Sequence, residues 1–245
     1  MTVLCNDTSR DAFLKEHGLS ILINDRILFD TGQTDVFIKN GEKLEIDFSK
    51  VEKVIISHGH YDHIGGLIFL QNVANPEVFI HKKALVERYS ASKFAGVPYD
   101  WNKIELKVNF IDSDISTDEV RIITNIKMRE DIIDEKFRLS DGRKDFFEDE
   151  INIVIENFLF TGCAHRGIEN IVEQVIKRYN IEYVVGGFHL VNASNERIRK
   201  ITELFEKYDL KVIPLHCTGE NAIKFMKDRL KDKCIILNSG DEWGR

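Results

Sequence analysis

Between Ser57 and Gly66 the chain packs His58, His60, Asp62 and His63, three imidazoles and a carboxylate, into six consecutive positions. Just upstream, Val51 to Ile56 is rich in β-branched residues and reads as a buried strand. His58 and His60 therefore leave its end at a two-residue period, pointing the same way and able to reach one ion. The apolar run Ile64 to Leu70 follows, and Asp62 and His63 sit at the turn into it, within reach of a second ion. A solvated, histidine-rich loop would account for a lone imidazole. Four ligand-type side chains at this spacing argue instead for metal.

The rest of the composition bounds what such a centre serves. The 245 residues suffice for a full core, and 43% hydrophobic with 31% charged residues is the balance of an ordinary globular protein. We expect a single domain over residues 1–245. A net charge of -7 argues against a nucleic-acid surface, which needs clustered Lys and Arg, and weakens a nuclease reading. Cys5, Cys163, Cys217 and Cys234 form no C-x-x-C pair, so neither a zinc ribbon nor a disulfide framework is expected. The first eleven residues lack a signal-peptide core, and no apolar run approaches the ~20 residues that span a bilayer. The expectation is a cytoplasmic protein; oligomeric state is not legible.

Strand and helix signals alternate along the chain. Leu19 to Ile23 and Arg26 to Phe29 flank Asn24-Asp25, which predicts a hairpin. A short helix is expected over Asp35 to Asn40 with its exit at Gly41, and another over Ile64 to Asn72. Glu77 to Ile80 reads as a strand, then a structural His81 and an amphipathic helix over Lys82 to Ser90. Ile104 to Ile111 and Val120 to Thr124 are expected to be antiparallel strands, and Met128 to Glu150, dense in charge, a solvated excursion or a lid. A second hairpin, Ile151 to Ile155 with Phe158 to Phe160, precedes a helical stripe over Ile168 to Tyr179. Strands are then expected at Tyr183 to Val185, Leu210 to Leu215 and Cys234 to Leu237, with helices at Ile198 to Tyr208 and Ala222 to Leu230.

On this pattern Asp30, His58, His165, His189 and His216 all fall at or just past the C-terminal ends of expected strands, the edge where α/β sheets gather their ligands. Alternating strands and helices, with a hairpin in each half, point to two mixed sheets with helices outside.

The stretch His58, His60, Asp62, His63 resembles the H-x-H-x-D-H signature of the metallo-β-lactamase superfamily. Glu16-His17-Gly18-Leu19-Ser20, Leu28-Phe29-Asp30-Thr31-Gly32, Thr161 to Gly167 with Asn170, Gly186 to Leu190 and His216 to Gly219 are similar to one branch of it. That branch holds mostly uncharacterised metal-dependent hydrolases and includes archaeal dihydropterin-ribofuranosylaminobenzene phosphate synthases. The resemblance implies a four-layer αββα sandwich of two similar halves. It implies His58, His60 and His165 for one ion, and Asp62, His63 and His216 for a second. Zinc fits this set, with manganese or iron as alternatives. Two ions about 3.5 to 4 Å apart share a hydroxide and stabilise developing charge.

The chain departs from the wider superfamily in two places. Where typical members have a bridging Asp, Cys163 stands, either as a thiolate near the metals or as a small packed residue. The usual third histidine has no counterpart between Phe137 and Phe160, so His165 takes its place. Asp30 is expected to orient a ligand histidine. His17 either lines the cleft or is structural. His189 either completes a metal site, donates a proton or clamps substrate, or is a hydrogen-bonded neighbour, and Asp62 and His189 are the catalytic candidates.

The implied function is a metal-dependent hydrolase that uses a metal-bound hydroxide on a small anionic, phosphate-containing or related substrate. A pterin-pathway synthase on the same centre, an iron-dependent oxidative enzyme and a non-enzymatic metal-stabilised binding or sensor domain are the alternatives. The flavodiiron version is disfavoured by His60, where that pattern has an acidic residue.

Overall fold

The structure, a computed structural model, describes residues 1–117, 119–129 and 134–244. It divides into two compact units, the first made of Met1–Asp112, Asp134–Asp149 and Asn238–Arg245, the second of Ser113–Ile133 and Glu150–Leu237.

The first unit is built on a six-stranded sheet of β1 (Thr2–Cys5), β2 (Ser20–Ile23), β3 (Ile27–Phe29), β4 (Lys53–Ile55), β5 (Glu77–His81) and β8 (Lys107–Ile111), in that order. β1, β2 and β3 pair antiparallel, and β3, β4, β5 and β8 run parallel. The expected hairpin joins β2 to β3, with Asn24 and Asp25 at φ 50 and 57°, the left-handed pair that a two-residue turn needs. Helix α1 (Val36–Lys43) and the short helices α2 (Tyr61–Ile64) and α3 (Leu67–Leu70) contribute Phe37, Ile64, Leu67 and Leu70 to a core with Leu4, Leu22, Leu28, Val54, Val78 and Ile80. β6 (Arg88–Ser90), β7 (Lys93–Phe94) and β11 (Phe137–Leu139) make a small antiparallel sheet.

The second unit carries its own mixed six-stranded sheet. Its strands are β9 (Ile115–Ser116), β10 (Arg121–Ile123), β12 (Asn152–Ile155), β13 (Phe158–Thr161), β14 (Tyr183–Gly187) and β15 (Lys211–Leu215), in the order β15-β14-β13-β12-β10-β9. β13, β14 and β15 are parallel; the rest pair antiparallel, including the expected β12-β13 hairpin. Helix α4 (Ile168–Val175) turns Ile168, Ile171, Val172 and Val175 inward, as its spacing predicts, beside α5 (Asn195–Lys207) and α6 (Glu220–Leu230). The α/β class with two mixed sheets holds. Among the described residues no helix is long and apolar enough to cross a membrane.

Several local expectations do not hold. Lys82 to Ser90 is a turn followed by β6, because the chain there wraps its own Arg88: Lys83 and Val86 carbonyls accept from the guanidinium, which Asp149 also pairs at 3.0 Å. The Ile64 to Asn72 helix is split at Gly65-Gly66, where the Gly66 amide donates to Gly32 O at 3.0 Å and a Cβ would lie 2.0 Å from Thr31 O. Gly41 lies inside α1 against Phe48 rather than ending it. The stretches 104–111 and 120–124 do not pair with each other; β8 lies parallel to β5, and β10 pairs with β9 and β12. Cys234 to Leu237 makes one bridge, Cys234 to Val212, and no strand. β1 was not foreseen among polar neighbours. Of the expected excursion 128–150, residues 130–133 lie outside the described residues, and the remainder includes β11.

Candidate metal centre

In the first unit the parallel strands deliver the candidate side chains to one edge. β3 ends at Phe29 and releases Asp30; β4, in register beside it, ends at Ile55 and releases Ser57 and His58. Asp30 Oδ1 accepts the Ser57 amide at 2.7 Å, and Oδ2 accepts the Ser57 hydroxyl at 2.7 Å and His63 Nδ1 at 2.6 Å. With its proton given to Asp30, Ser57 Oγ is left to accept from His58 Nδ1, 2.8 Å away. One carboxylate thus sets the tautomer of two imidazoles, leaving each Nε2 as the basic nitrogen.

His58 Nε2 lies 3.0 Å from His60 Nδ1. Two nitrogens bound at about 2.0–2.1 Å to one tetrahedral ion sit about 3.3 Å apart, so the pair is already near ligand spacing. Burial holds both imidazoles neutral: it is the main cause that lowers His58 well below its ordinary value and His60 to about 3, helped by His63 and His60 around the one and by Arg88 near the other. Neutral imidazole is the form that binds metal. Phe137 stacks on the His60 ring at 5.1 Å and Phe147 meets it edge-on at 5.6 Å, which fixes its plane. Asp62, the first helical acid of α2, is buried, with His63 Nε2 at 3.9 Å from its Oδ2. The half-exposed His17 spans two carboxylates, Asp7 at 2.9 Å and Asp62 at 3.2 Å.

Gly59, between the two histidines, packs so tightly on Ala84 that a Cβ would lie 1.8 Å from the Ala84 carbonyl oxygen. Its amide donates to buried Asp149 Oδ2 at 2.8 Å, and Asp149 Oδ1 accepts from buried Arg88 at 3.0 Å. Although burial alone would raise the Asp149 carboxyl, Arg88 brings it below its ordinary value.

In the second unit β13, β14 and β15 release Cys163 and His165, His189, and His216 at the ends of neighbouring parallel strands. Ala164, His189 and His216 hold left-handed φ of 54, 50 and 46°, a conformation uncommon for residues that carry a side chain. Buried Glu150 accepts the His165 amide at 2.5 Å and the Arg166 amide at 3.2 Å, anchoring that loop. The His165 and His189 rings lie 4.4 Å apart. Cys163 Sγ and Cys217 Sγ are 3.2 Å apart, and a His189 ring nitrogen completes a group whose ligand atoms all lie within 4.8 Å of one another.

Within the first unit the structure brings together Asp30, His58, His60, Asp62 and His63; within the second it brings together Cys163, His165 and His189. His81 ends β5, buried, its Nδ1 accepting the Lys83 amide at 3.1 Å. Arg88, Asp149, Glu150 and Cys217 were missed. For Cys217 the signal was its place beside His216; for the two acids there was none, since they sit in a charge-dense run.

In the first unit the buried imidazoles of His58, His60 and His63 with the Asp62 carboxylate, and in the second the Cys163 thiol with His165, are donor types that each fit a borderline divalent ion. A family model described as the metallo-beta-lactamase superfamily matches residues 16–112. An uncharacterised protein of Methanocaldococcus jannaschii is 33% identical over 233 residues, 90% of this chain and 91% of that one. The 7,8-dihydropterin-6-methyl-4-(beta-D-ribofuranosyl)-aminobenzene-5'-phosphate synthase of the same organism is 30% identical, over 93% of this chain and 90% of its own. A solved structure described as a metal-dependent hydrolase of the beta-lactamase superfamily is 37% identical, with a TM-score of 0.89, over 98% of this chain and 96% of its own. With this fold and these relatives, the chain belongs to the metallo-beta-lactamase superfamily.

Proposed function

We propose that the protein is a metal-dependent hydrolase acting on a small phosphate-containing or related anionic substrate. The proposed ligands are His58, His60, Asp62, His63, His165 and His216, with zinc as the favoured ion. The observation that carries this reading is the pair His58 Nε2 and His60 Nδ1, buried, neutral and 3.0 Å apart, with the Asp30 relay fixing the tautomer behind it. When bound, a divalent ion supplies Lewis acidity and a coordinated water that ionises near neutral pH.

The chain's own contribution is orientation. Asp30 holds the His63 ring directly and the His58 ring through Ser57, and with both oxygens engaged it serves as an orienting group. Asp62, whose Oδ2 lies 3.2 Å from His17 Nε2 and 3.9 Å from His63 Nε2, is the carboxylate assigned in this reading to orient the attacking water. Phe137 and Phe147 keep bulk water off the His60 edge.

A second reading is a pterin-pathway synthase, favoured by 30% identity over 93% of the chain to the relative named for that activity; its named product also supports a phosphate-bearing substrate here. Metal-loaded protein assayed against phosphomonoesters and phosphodiesters, with a dihydropterin condensation assay beside them, separates the two. Hydrolysis abolished in His60→Ala and in Asp62→Ala, with circular dichroism unchanged, is expected. A fully metal-loaded protein inert to every phosphoester but active in condensation would replace the hydrolase with the synthase.

A further inference from the structure

We propose that Cys163, Cys217 and His189 form a cation-binding set for a thiophilic divalent ion, zinc or a softer metal of its group. Both thiols are buried, their sulfurs 3.2 Å apart, and a His189 ring nitrogen lies within 4.8 Å of each. Two sulfurs bound at about 2.3 Å to a tetrahedral ion stand about 3.8 Å apart, so a side-chain rotation of roughly half an ångström opens the pair to receive it. Each coordinated thiol gives up its proton to solvent as the metal–sulfur bond forms, and no electrons are exchanged.

The backbone around the set is shaped for this approach. A Cβ at Gly187 would lie 2.7 Å from Cys217 Sγ and 2.4 Å from Gly162 O, so only a bare backbone lets the two thiols meet. Gly187 also pairs with Leu215 in the β14-β15 register, which brings the turn after each strand side by side. His189 is held at φ 50°, a conformation its side chain does not favour. Cys217 O accepts the Leu190 amide at 3.1 Å, and Thr218 Oγ1 accepts the Phe188 amide at 3.1 Å, tying the His189 turn to the Cys217 turn from both sides. With a ring nitrogen within 4.8 Å of both sulfurs, His189 is assigned as the third ligand, in place of the proton-donor or substrate-clamp role that its position after two glycines suggests. None of the residues His58 to His63 belongs to this set, but Cys163 also lies within ligand distance of His165, so Cys217, which no hydrolase ligand set includes, is the residue that separates this inference from the hydrolase reading.

Cobalt(II) titration of the reduced, metal-stripped full chain tests it, because a thiolate-to-cobalt charge-transfer band appears only if sulfur is bound. The band is expected in the wild type, halved in Cys163→Ser and in Cys217→Ser, with cobalt affinity lowered at least about 10- to 100-fold in His189→Ala. X-ray absorption of the wild-type protein loaded with one equivalent of cadmium, which needs no variant to fold, should show sulfur in the first shell. A wild type without the thiolate band, a full band in Cys217→Ser, or a cadmium shell of nitrogen and oxygen alone overturns the proposal. So does a His189→Ala protein whose cobalt affinity and thiolate band equal those of the wild type.

Discussion

Asp149 holds the backbone between two candidate ligands and pairs a guanidinium that is 1% exposed. Removing its charge leaves Arg88 with two backbone carbonyls and one remaining carboxylate, Asp145, which is 3.5 Å away and has its carboxyl raised chiefly by burial. Breaking a buried pair costs about 3–5 kcal/mol, so Asp149→Asn should lower the urea midpoint accordingly while also weakening metal binding by about 10- to 100-fold. The half-exposed pair Arg26 and Glu52, although bidentate at 2.9 and 2.7 Å, should leave the same midpoint nearly unchanged when cut, because solvent screens it. Equal losses at the two sites would refute the role given to Asp149. The imidazoles make a pH prediction. His58 and His60 have folded pKa values below the unfolded value, so the unfolded chain binds more protons under pH 6.5. Their contribution is complete above about pH 6.5 and is lost as pH falls below it, for His60 down to about 3, at about 1.4 kcal/mol per pH unit for each ring. Denaturant melts of metal-free protein between pH 6 and 5 should show a loss on the order of 2–3 kcal/mol, roughly halved in His60→Gln. A flat profile over that interval would contradict the burial of the pair.

The element most sensitive to a single methyl group is the loop that follows β4. Gly59→Ala puts a Cβ 1.8 Å from the Ala84 carbonyl, so either the histidine loop or the 82–86 turn must move, and metal stoichiometry should fall with stability. Gly142→Ala is the control: φ is 83°, nothing lies within 4 Å, and only the backbone strain of about 1 kcal/mol is expected. Similar losses in both would mean that the approach to Ala84 is not what excludes a side chain at Gly59. The two hairpins and the α4 stripe were legible because turn chemistry and periodicity act over a few residues. Lys82 to Ser90 was not, because what decides it is the Arg88 pair with Asp149, 61 positions away. The glycine break between α2 and α3 was equally hidden, since the carbonyl that excludes a side chain at Gly66 comes from Thr31.

For the molecule as a whole, the strand-end histidines and Asp30 could be read from sequence, because each follows a buried apolar run whose end fixes its place on a sheet edge. The groups that hold those histidines could not. Asp149 and Glu150 end an acidic run that looks solvated, yet both are 1% exposed and each accepts a loop amide, Gly59 for the one and His165 for the other. That arrangement means the proposed ligands in 58–63 and at 165 sit on loops already anchored by hydrogen bonds, so metal should add to a folded chain rather than create the fold. A ligand that binds only the native state at 100 times its Kd contributes about 2.7 kcal/mol. At about 2–4 °C per kcal/mol for a chain of this size, chelation should lower the melting temperature by about 5–10 °C and leave the far-ultraviolet circular dichroism at 25 °C unchanged. Complete unfolding on chelation would show that the anchors are insufficient without metal. Coincident melts of loaded and stripped protein would show that the imidazoles hold no ion.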